Sequence, residues 1–294
     1  MVDLLVLVAR YPVADTKQAV QTLKYAHGGQ TATAMVACSR LGLTASYVGR
    51  FGDDDHGVRA RENLEHEGID TSGCLTAVGV TNGFSVILVD QETGSRTVLW
   101  SRERKLGVAP SEVRRESICT GRTLLVDCHD TAAATVAARY AREAGIPTFI
   151  DVERVRPGVE ELLSEIDVII AAEDFPLSLT GRSEHGAALR VIRDTYRATA
   201  VCVTLGAEGS LALVGNVEIR TPSFRVPVVD STGAGDVFRG GFIAGWLRGG
   251  PNAPVEEVLR YANAVAAINC RGMGARSGIP NPREVEALLR GEAL

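Results

Sequence analysis

The sequence of 294 residues contains no run of about 18 apolar residues, the length that a membrane-spanning helix needs. It also lacks a block of lysine and arginine, and its 31 basic residues are outnumbered by 36 acidic ones, for a formal charge of −5. We therefore expect neither a membrane nor a nucleic acid as a partner. The hydrophobic share of 45% and the charged share of 23% exclude disordered and collagen-like chains.

The cysteines form no Cys-x-x-Cys pair, and no histidine stands at the spacing of a zinc ligand. Most of them lie in apolar stretches, so reduced core thiols are expected: Cys38, Cys74, Cys119, Cys128, Cys202 and Cys270. The start of the chain lacks the basic segment of a secretory signal, and its apolar run is broken by Arg10, Pro12 and Asp15. The sequence therefore predicts a cytoplasmic protein.

Apolar segments of strand length alternate along the chain with segments of helical period. The predicted strands are Leu4–Val8, Ala45–Val48, Thr123–Val126, Thr148–Asp151, Val168–Ala171, Val201–Thr204 and Ser210–Val214. The predicted helices are Thr31–Leu41, Gly57–Glu67, Thr131–Ala144, His185–Thr195, Ala234–Arg248, Val255–Asn269 and Pro282–Leu289. This order predicts an α/β fold in which helices cover both faces of a mainly parallel sheet.

One stretch departs from this alternation. Phe84–Asp90 and Arg96–Ser101 alternate apolar and polar residues around the turn residues 91–95, which predicts an antiparallel hairpin without a helix. We interpret residues 84–101, with the segment 8–25, as the strands of a small β-sheet lid. The chain has no internal repeat or linker, so residues 1–294 are predicted to form a single domain.

The segment Asp230–Asp236, with the sequence DSTGAGD, carries the clearest chemical signal. Gly233, Ala234 and Gly235 precede a predicted helix, whose first backbone amides and dipole can hold an anion without any basic side chain. Asp236 at the helix start would stand beside that anion, where a carboxylate can take a proton from a hydroxyl that attacks a phosphate. From spacing alone, an ordinary helix-capping turn remains an equal alternative.

Five ordered segments resemble the ribokinase-like, or PfkB-type, sugar and nucleoside kinases. The last motif, DSTGAGDVF, is similar to the C-terminal signature of that family. The other four matching segments are His27–Gly42, Val48–Thr71, Val203–Gly209 and Ala262–Ala275. Because the match spans nearly the whole chain, we identify it as a member and expect the ribokinase-like three-layer fold.

The resemblance implies that ATP, with Mg²⁺, phosphorylates a hydroxymethyl group of a small sugar, such as a ketose. It implies that Asp236 is the general base and that the amides of residues 233–235 form the anion hole. It also implies two sets of binding residues. The sugar contacts would be Asp3, Gly28, Gly29 and Thr33, to which we add Arg96 of the hairpin. The nucleotide contacts would be Thr204, Gly206, Gly209, Asn263 and Gly272.

The resemblance also bears on metal ions. Asp230 and Thr232 resemble the monovalent-cation loop of several relatives, which makes K⁺ a candidate, although a turn explains both residues equally well. The family's Asn-x-x-Glu motif, usually tied to Mg²⁺, aligns with Ala172–Phe175 and has lost both polar positions. Glu173 or Asp174 could act on Mg²⁺ through water, or both could simply solvate a loop.

Other departures limit the resemblance further. The loss of that motif is similar to the ketohexokinase-type branch, and Thr33 stands where the family commonly has asparagine. The chain also starts close to Asp3, where relatives have a preceding apolar run and a glycine, so we expect a clipped or mis-started N-terminus. Arg239 lies one helical turn after Asp236, where it could steady the base, meet an anionic substrate or form a surface salt bridge.

Three alternatives therefore stay open. A nucleoside or a phosphorylated sugar could replace the free sugar, and for a phosphosugar the sequence offers only Arg96 and Arg239 as basic groups. A kinase-fold scaffold without turnover is the alternative from another functional class. The apolar hairpin edge and the resemblance together predict a homodimer through the lid strands, and the apolar members of that edge are Phe84, Val86, Leu88 and Leu99.

Overall fold

The computed structural model describes residues 1–93, 95–250 and 253–292, so Gly94 of the predicted hairpin turn lies outside the described residues. The chain divides into two compact units. The first unit contains Met1–Gly107, Val226–Val237 and Ala266–Pro282. The second contains Val108–Arg225, Phe238–Val265 and Arg283–Leu294.

The helices and strands alternate as the sequence predicts, with additional short elements. The strands are β1 (Val2–Val8), β2 (Thr22–His27), β3 (Ala45–Ser46), β4 (Arg50–Gly52), β5 (Ile69–Asp70), β6 (Leu75–Ala77), β7 (Phe84–Asp90), β8 (Arg96–Ser101), β9 (Leu124–Asp127), β10 (Thr148–Val152), β11 (Val168–Ala172), β12 (Ala200–Thr204), β13 (Ser210–Val214) and β14 (Val217–Thr221). The helices are α1 (Gln30–Arg40), α2 (Asp55–His66), α3 (Arg115–Ile118), α4 (Thr131–Glu143), α5 (Val159–Leu163), α6 (Asp174–Thr180), α7 (His185–Tyr196), α8 (Ala234–Gly249), α9 (Val255–Asn269) and α10 (Pro282–Leu289).

The first unit contains a four-stranded sheet in the order β2-β1-β7-β8. Strand β1 runs parallel to β7, and β7 pairs with β8 as the predicted antiparallel hairpin. Alternate residues of β7 are buried, and Ile87 packs with Leu5 and Val89 on one face of the sheet. Strand β8 is exposed along its whole length, because it forms an edge of this sheet.

The second unit contains a six-stranded sheet in the order β14-β13-β12-β11-β10-β9. Strands β9 to β12 are parallel, and β13 and β14 add an antiparallel edge. The central strands β10, β11 and β12 are continuous apolar runs with nearly every residue buried, as expected for parallel strands covered on both faces. Their side chains form the largest core of the unit, together with Phe175 and Leu189.

The six cysteines form no disulfide bond with one another, as the sequence predicts. Cys38 in the first unit and Cys202 in the second are almost fully buried, and burial raises the pKa of each thiol to about 12. Among the described residues, every helix is too short or too polar to cross a membrane.

Candidate functional site

The start of helix α8, where the sequence predicts an anion hole, contains a tight glycine turn. Gly233 adopts a φ of +74°, a conformation that favours glycine, and a Cβ atom there would lie 2.7 Å from the Ala275 carbonyl. Gly233, Ala234, Gly235 and Asp236 are all half-buried. The Asp236 carboxylate lies in this half-buried first turn, in which the Ala234 amide donates to the Ser231 carbonyl at 3.2 Å.

The loop before this helix is fixed by the carboxylate of Asp230. Its Oδ1 atom accepts hydrogen bonds from the Thr232 amide at 2.8 Å and the Thr232 hydroxyl at 2.7 Å. Its Oδ2 atom accepts one from the Gly274 amide at 2.9 Å. These three hydrogen bonds give the buried Asp230 carboxylate partners within the protein and close the loop. The K⁺ site therefore stays a prediction.

The loop after helix α9 packs directly against residues 230–233, which we call the anion-hole loop. The Asn269 side chain donates to the carbonyls of Thr232 at 3.4 Å and Ala275 at 3.1 Å. Gly272 has a close neighbour, because a Cβ atom there would lie 2.5 Å from the Gly278 amide. Gly272, predicted as a nucleotide contact, is therefore a tight-packing position of this loop in the first unit.

Asp3 lies on the inner face of the four-stranded sheet and is 4% exposed. Its Oδ1 atom accepts a hydrogen bond from Ser85, and a Cβ atom at Gly28 would overlap its Oδ2 atom. Burial raises the pKa of Asp3, although the Ser85 hydrogen bond and the Arg276 guanidinium act in the opposite direction. Gly28 therefore leaves the space that this carboxylate occupies.

Gly29 and Thr33 begin helix α1 beside this carboxylate. Gly29 precedes the helix with a φ of +94°, and its carbonyl accepts the Thr33 amide at 2.8 Å. Thr33 is fully buried, and its hydroxyl accepts a hydrogen bond from Arg276 Nε at 3.1 Å. The first unit thus brings together Asp3 and the Gly-Gly segment, with Arg276 as the group that contacts Thr33.

Arg276 is the site residue that sequence reasoning missed. Besides Thr33, its guanidinium donates to the Gly28 carbonyl at 2.6 Å and to Asn63 Oδ1 at 2.8 Å. Burial lowers the pKa of Arg276 to about 10, while Asp3 and Glu67 act in the opposite direction, so it is charged at neutral pH. No sequence signal connects these residues, because they are 213 to 248 positions apart.

Arg96 connects the hairpin to the anion-hole loop. Its Nη1 atom donates to the Ser231 hydroxyl at 2.6 Å, and the side chain is exposed. The predicted lid residue is therefore anchored two positions before Gly233.

The second unit contains the other nucleotide-side candidates. Thr204 ends strand β12, and Gly206 and Gly209 follow it with positive φ values of +54° and +95°. A Cβ atom at Gly209 would overlap the Thr221 carbonyl, so this turn requires glycine. Asn263 is 4% exposed, and its amide donates to Ser210 Oγ at 3.1 Å and to the Thr221 carbonyl at 3.2 Å.

Arg239 forms a buried ion pair, which corrects the surface salt bridge considered from the sequence. Its Nε atom lies 2.8 Å from Asp151 Oδ1, with 2% and 0% of the two side chains exposed. Its guanidinium is directed at strand β10 of the second unit, so Arg239 is not available as an open anion-binding group.

The segment aligned with the missing Asn-x-x-Glu motif has no metal-binding polar pair. Phe175 is fully buried in the core of the second unit, while Glu173 and Asp174 are exposed. The Glu173 carbonyl is hydrogen-bonded to His185 Nε2 at 3.0 Å. Among the described residues, no group of three acidic, histidine or cysteine side chains could hold a metal ion.

Comparisons with known proteins test the family and the fold that the sequence predicts. A family model described as pfkB family carbohydrate kinase matches residues 1–282. The ATP-dependent ribose-1-phosphate kinase of Halopiger xanaduensis is 32% identical and covers 98% of this chain and 94% of its own length. The ribokinase of Haemophilus influenzae is 30% identical over 92% of this chain and 89% of its own. The crystal structure of ribokinase from Thermotoga maritima, 24% identical, has a TM-score of 0.82 over 98% of this chain and 96% of its own, which confirms the predicted fold class.

Proposed function

This chain belongs to the pfkB family of carbohydrate kinases, and from that premise we propose that it phosphorylates a hydroxymethyl group of a small sugar with ATP. The observation that carries this proposal is the position of Asp236, in the first turn of helix α8, directly after the Gly233 turn. A carboxylate and the backbone amides of a helix start are the two groups that phosphoryl transfer to an alcohol needs.

In the proposed reaction, Asp236 accepts the proton of the sugar hydroxyl as its oxygen attacks the γ-phosphorus of ATP. The bond between the γ-phosphorus and the bridging oxygen breaks, and ADP leaves. The amides of residues 233–235 and the helix dipole stabilise the negative charge on the transferred group. Asp3 accepts hydrogen bonds from the other sugar hydroxyls, and the Gly-Gly segment lets the sugar approach the backbone.

Mg²⁺ supplies neutralisation of the ATP phosphates, and the residues present suit an ion held by phosphates and water. Magnesium retains several waters and uses few protein ligands when it is bound with a nucleotide. The exposed carboxylates Glu173 and Asp174 fit such outer contacts, since the structure describes no acidic cluster that would enclose the ion. In the second unit, Thr204, Gly206, Gly209 and Asn263 are the proposed nucleotide-side residues, with Asn263 shaping the turn rather than contacting ATP directly.

A phosphorylated sugar is the second candidate substrate. It is favoured by the similarity to a ribose-1-phosphate kinase. Arg239 no longer supports it, because that guanidinium is paired with Asp151. The other relative, a ribokinase, favours the free sugar.

A coupled assay of ADP release distinguishes these substrates. We expect turnover with pentoses or ketohexoses, and the panel also contains their 1-phosphates and nucleosides. Faster turnover with a sugar phosphate would replace the free sugar in the proposal. Saturable ATP binding without turnover on any member of the panel would support the scaffold alternative.

Asp236→Asn tests the chemistry. The asparagine side chain has nearly the same size and still forms hydrogen bonds, but it cannot take a proton. We therefore expect turnover to fall on the order of 10²–10⁴-fold. ATP affinity, measured by calorimetry, should stay near the wild-type value. A variant that retains more than half of the wild-type rate would show that Asp236 is not the base.

A further inference from the structure

Arg276 is a buried cation that contacts three separate parts of the first unit. Its Nη2 donates to the carbonyl of Gly28, its Nε to the hydroxyl of Thr33, and its Nη1 to Asn63 of helix α2. Each nitrogen of the guanidinium thus has its own acceptor. A guanidinium presents its donors in a fixed planar fork, so these three acceptors are held in one geometry.

The backbone beside Arg276 is tied to the anion-hole loop. The preceding residue, Ala275, fills the space where Gly233 lacks a side chain. Gly274 donates its amide to Asp230 at 2.9 Å. Arg276 therefore connects two parts of the first unit. Its side chain contacts the proposed sugar-binding segment, and the two residues before it contact the anion-hole loop.

Charge points to the same role. The charged groups that act on Asp3 are Arg276 and the α-amino group of Met1, with Ser85 as a hydrogen-bond donor. His27 lies next to the Gly-Gly segment, and its pKa is lowered to about 4, chiefly by burial and then by Arg276, so it is neutral at pH 7. The negative charge of Asp236 also acts on Arg276. Arg276 thus interacts electrostatically with both the carboxylate proposed for sugar binding and the carboxylate proposed as the base.

We propose that Arg276 is a positioning residue for the acceptor sugar. It holds the Gly28-Gly29 segment and Thr33 in register with the anion-hole loop, and its positive charge favours the ionised form of Asp3, which accepts hydrogen bonds from sugar hydroxyls. The inference rests on the proposed sugar kinase function. It gives a physical role to Thr33, whose hydroxyl serves as an acceptor for Arg276 instead of contacting the sugar itself.

The test compares Arg276→Gln and Arg276→Lys, with Arg271→Gln as the matched control. Arg271 lies in the same loop but is exposed, so its replacement removes the same charge without touching the buried fork. For Arg276→Gln we expect the KM of the sugar to rise at least tenfold, roughly the effect of one lost charged hydrogen bond. The KM of ATP should stay near the wild-type value in Arg276→Gln. The melting temperature of the control Arg271→Gln should stay near that of the wild type.

The pH profile separates positioning from general destabilisation. The ratio kcat/KM for the sugar falls as pH drops through the pKa of Asp3, because the protonated acid accepts fewer hydrogen bonds. Loss of the Arg276 charge raises that pKa, so the acid limb of Arg276→Gln should move to higher pH. Arg276→Lys keeps the charge, so its limb should stay in place while the KM of the sugar still rises.

Asp3→Asn identifies the group that titrates. The α-amino group has a pKa lowered to about 6, chiefly by burial, and it also lies near Asp3. If Asp3→Asn leaves the acid limb at the wild-type pH, the limb belongs to another group, such as the proposed base Asp236, and the proposed effect of Arg276 on Asp3 is wrong. If the limb moves to lower pH, the assignment stands.

The outcomes distinguish this inference from the function on which it rests. A wild-type chain that phosphorylates no sugar would overturn both. An active wild type whose sugar KM and acid limb are unchanged in Arg276→Gln would overturn the inference alone. If Arg276→Gln does not fold, a wild-type sugar KM in Arg276→Lys would overturn it, and a raised KM with an unchanged limb would support it.

Discussion

Gly28 is the backbone position that lies against the Asp3 carboxylate, which we propose binds the sugar. Its missing side chain leaves the space that Asp3 Oδ2 occupies, on the buried face of the four-stranded sheet. A methyl group at this position would push on a carboxylate rather than on the backbone. Its effect is therefore expected on substrate affinity more than on folding.

We predict that Gly28→Ala raises the KM of the sugar by about tenfold or more, because Asp3 must turn away from its present position. The measurement is initial rate against sugar concentration. Gly83→Ala is the control, since a Cβ atom there meets its nearest neighbour at an ordinary 3.4 Å. Equal KM values for the two variants would contradict the assignment of Asp3 as a sugar contact.

The buried pair of Arg239 and Asp151 predicts a characteristic pattern of stability. Removal of one partner leaves an uncompensated charge inside the second unit, so Arg239→Met or Asp151→Leu alone should lower the free energy of unfolding by about 3–5 kcal/mol. The double variant Arg239→Met, Asp151→Leu should lose much less, because it buries no charge. Urea unfolding of the three variants measures this, and additive losses would show that the pair is not coupled.

At the scale of helices and strands, the sequence predicts best the elements whose buried residues recur at a regular spacing. The hairpin strands β7 and β8, strand β13 and the helices α9 and α10 have the bounds expected from the sequence. Helix α2 begins two residues earlier than predicted, because the Asp54 side chain caps it by accepting the Gly57 amide at 3.0 Å.

The missed elements have little periodicity that a sequence could reveal. Strands β4, β5 and β6 are two or three residues long, too short for an alternating pattern, and the predicted strand Ala45–Val48 is shortened to β3 (Ala45–Ser46). The sequence of β2 alternates polar and apolar residues, but its first four residues are exposed, so this strand lacks the buried face of a typical strand. The site shows the same limit: the glycine turn and Asp236 are local in sequence, whereas the contacts of Arg276 come from distant segments.

The start of helix α6 carries the two carboxylates that we propose contact Mg²⁺ through water. Its first residue, Asp174, and the preceding Glu173 are exposed, whereas Phe175 belongs to the core. We predict that Glu173→Gln and Asp174→Asn each shift the half-saturating concentration of free Mg²⁺ by less than roughly tenfold, as expected for contact through water. The measurement is initial rate against free Mg²⁺ at saturating ATP and sugar. A much larger shift would indicate direct coordination by that carboxylate.

At the scale of the whole molecule, the four-stranded sheet presents an apolar outer face. Pairing across the sheet places Tyr25, Leu4, Val86 and Leu99 in one row. Tyr25 is 62% and Leu99 57% exposed. A row of this kind on a sheet with open edges favours association with a second copy.

We therefore predict a homodimer that depends on this row. Light scattering at micromolar concentration should give the mass of a dimer for the wild type and of a monomer for Leu99→Glu with Tyr25→Glu. Val217→Glu, an exposed position on strand β14 of the second unit, is the control and should stay dimeric. A monomeric wild type would remove the proposed dimer.

The buried thiols of Cys38 and Cys202 give each compact unit an internal reporter. With a pKa near 12 and almost no exposed surface, neither reacts as a thiolate until its surroundings open. The rate at which an alkylating reagent modifies each one therefore reports local opening of the unit that contains it. Mass spectrometry of the two peptides, with and without ATP or sugar, would assign the ligand's stabilising effect to one unit or the other without introducing any label.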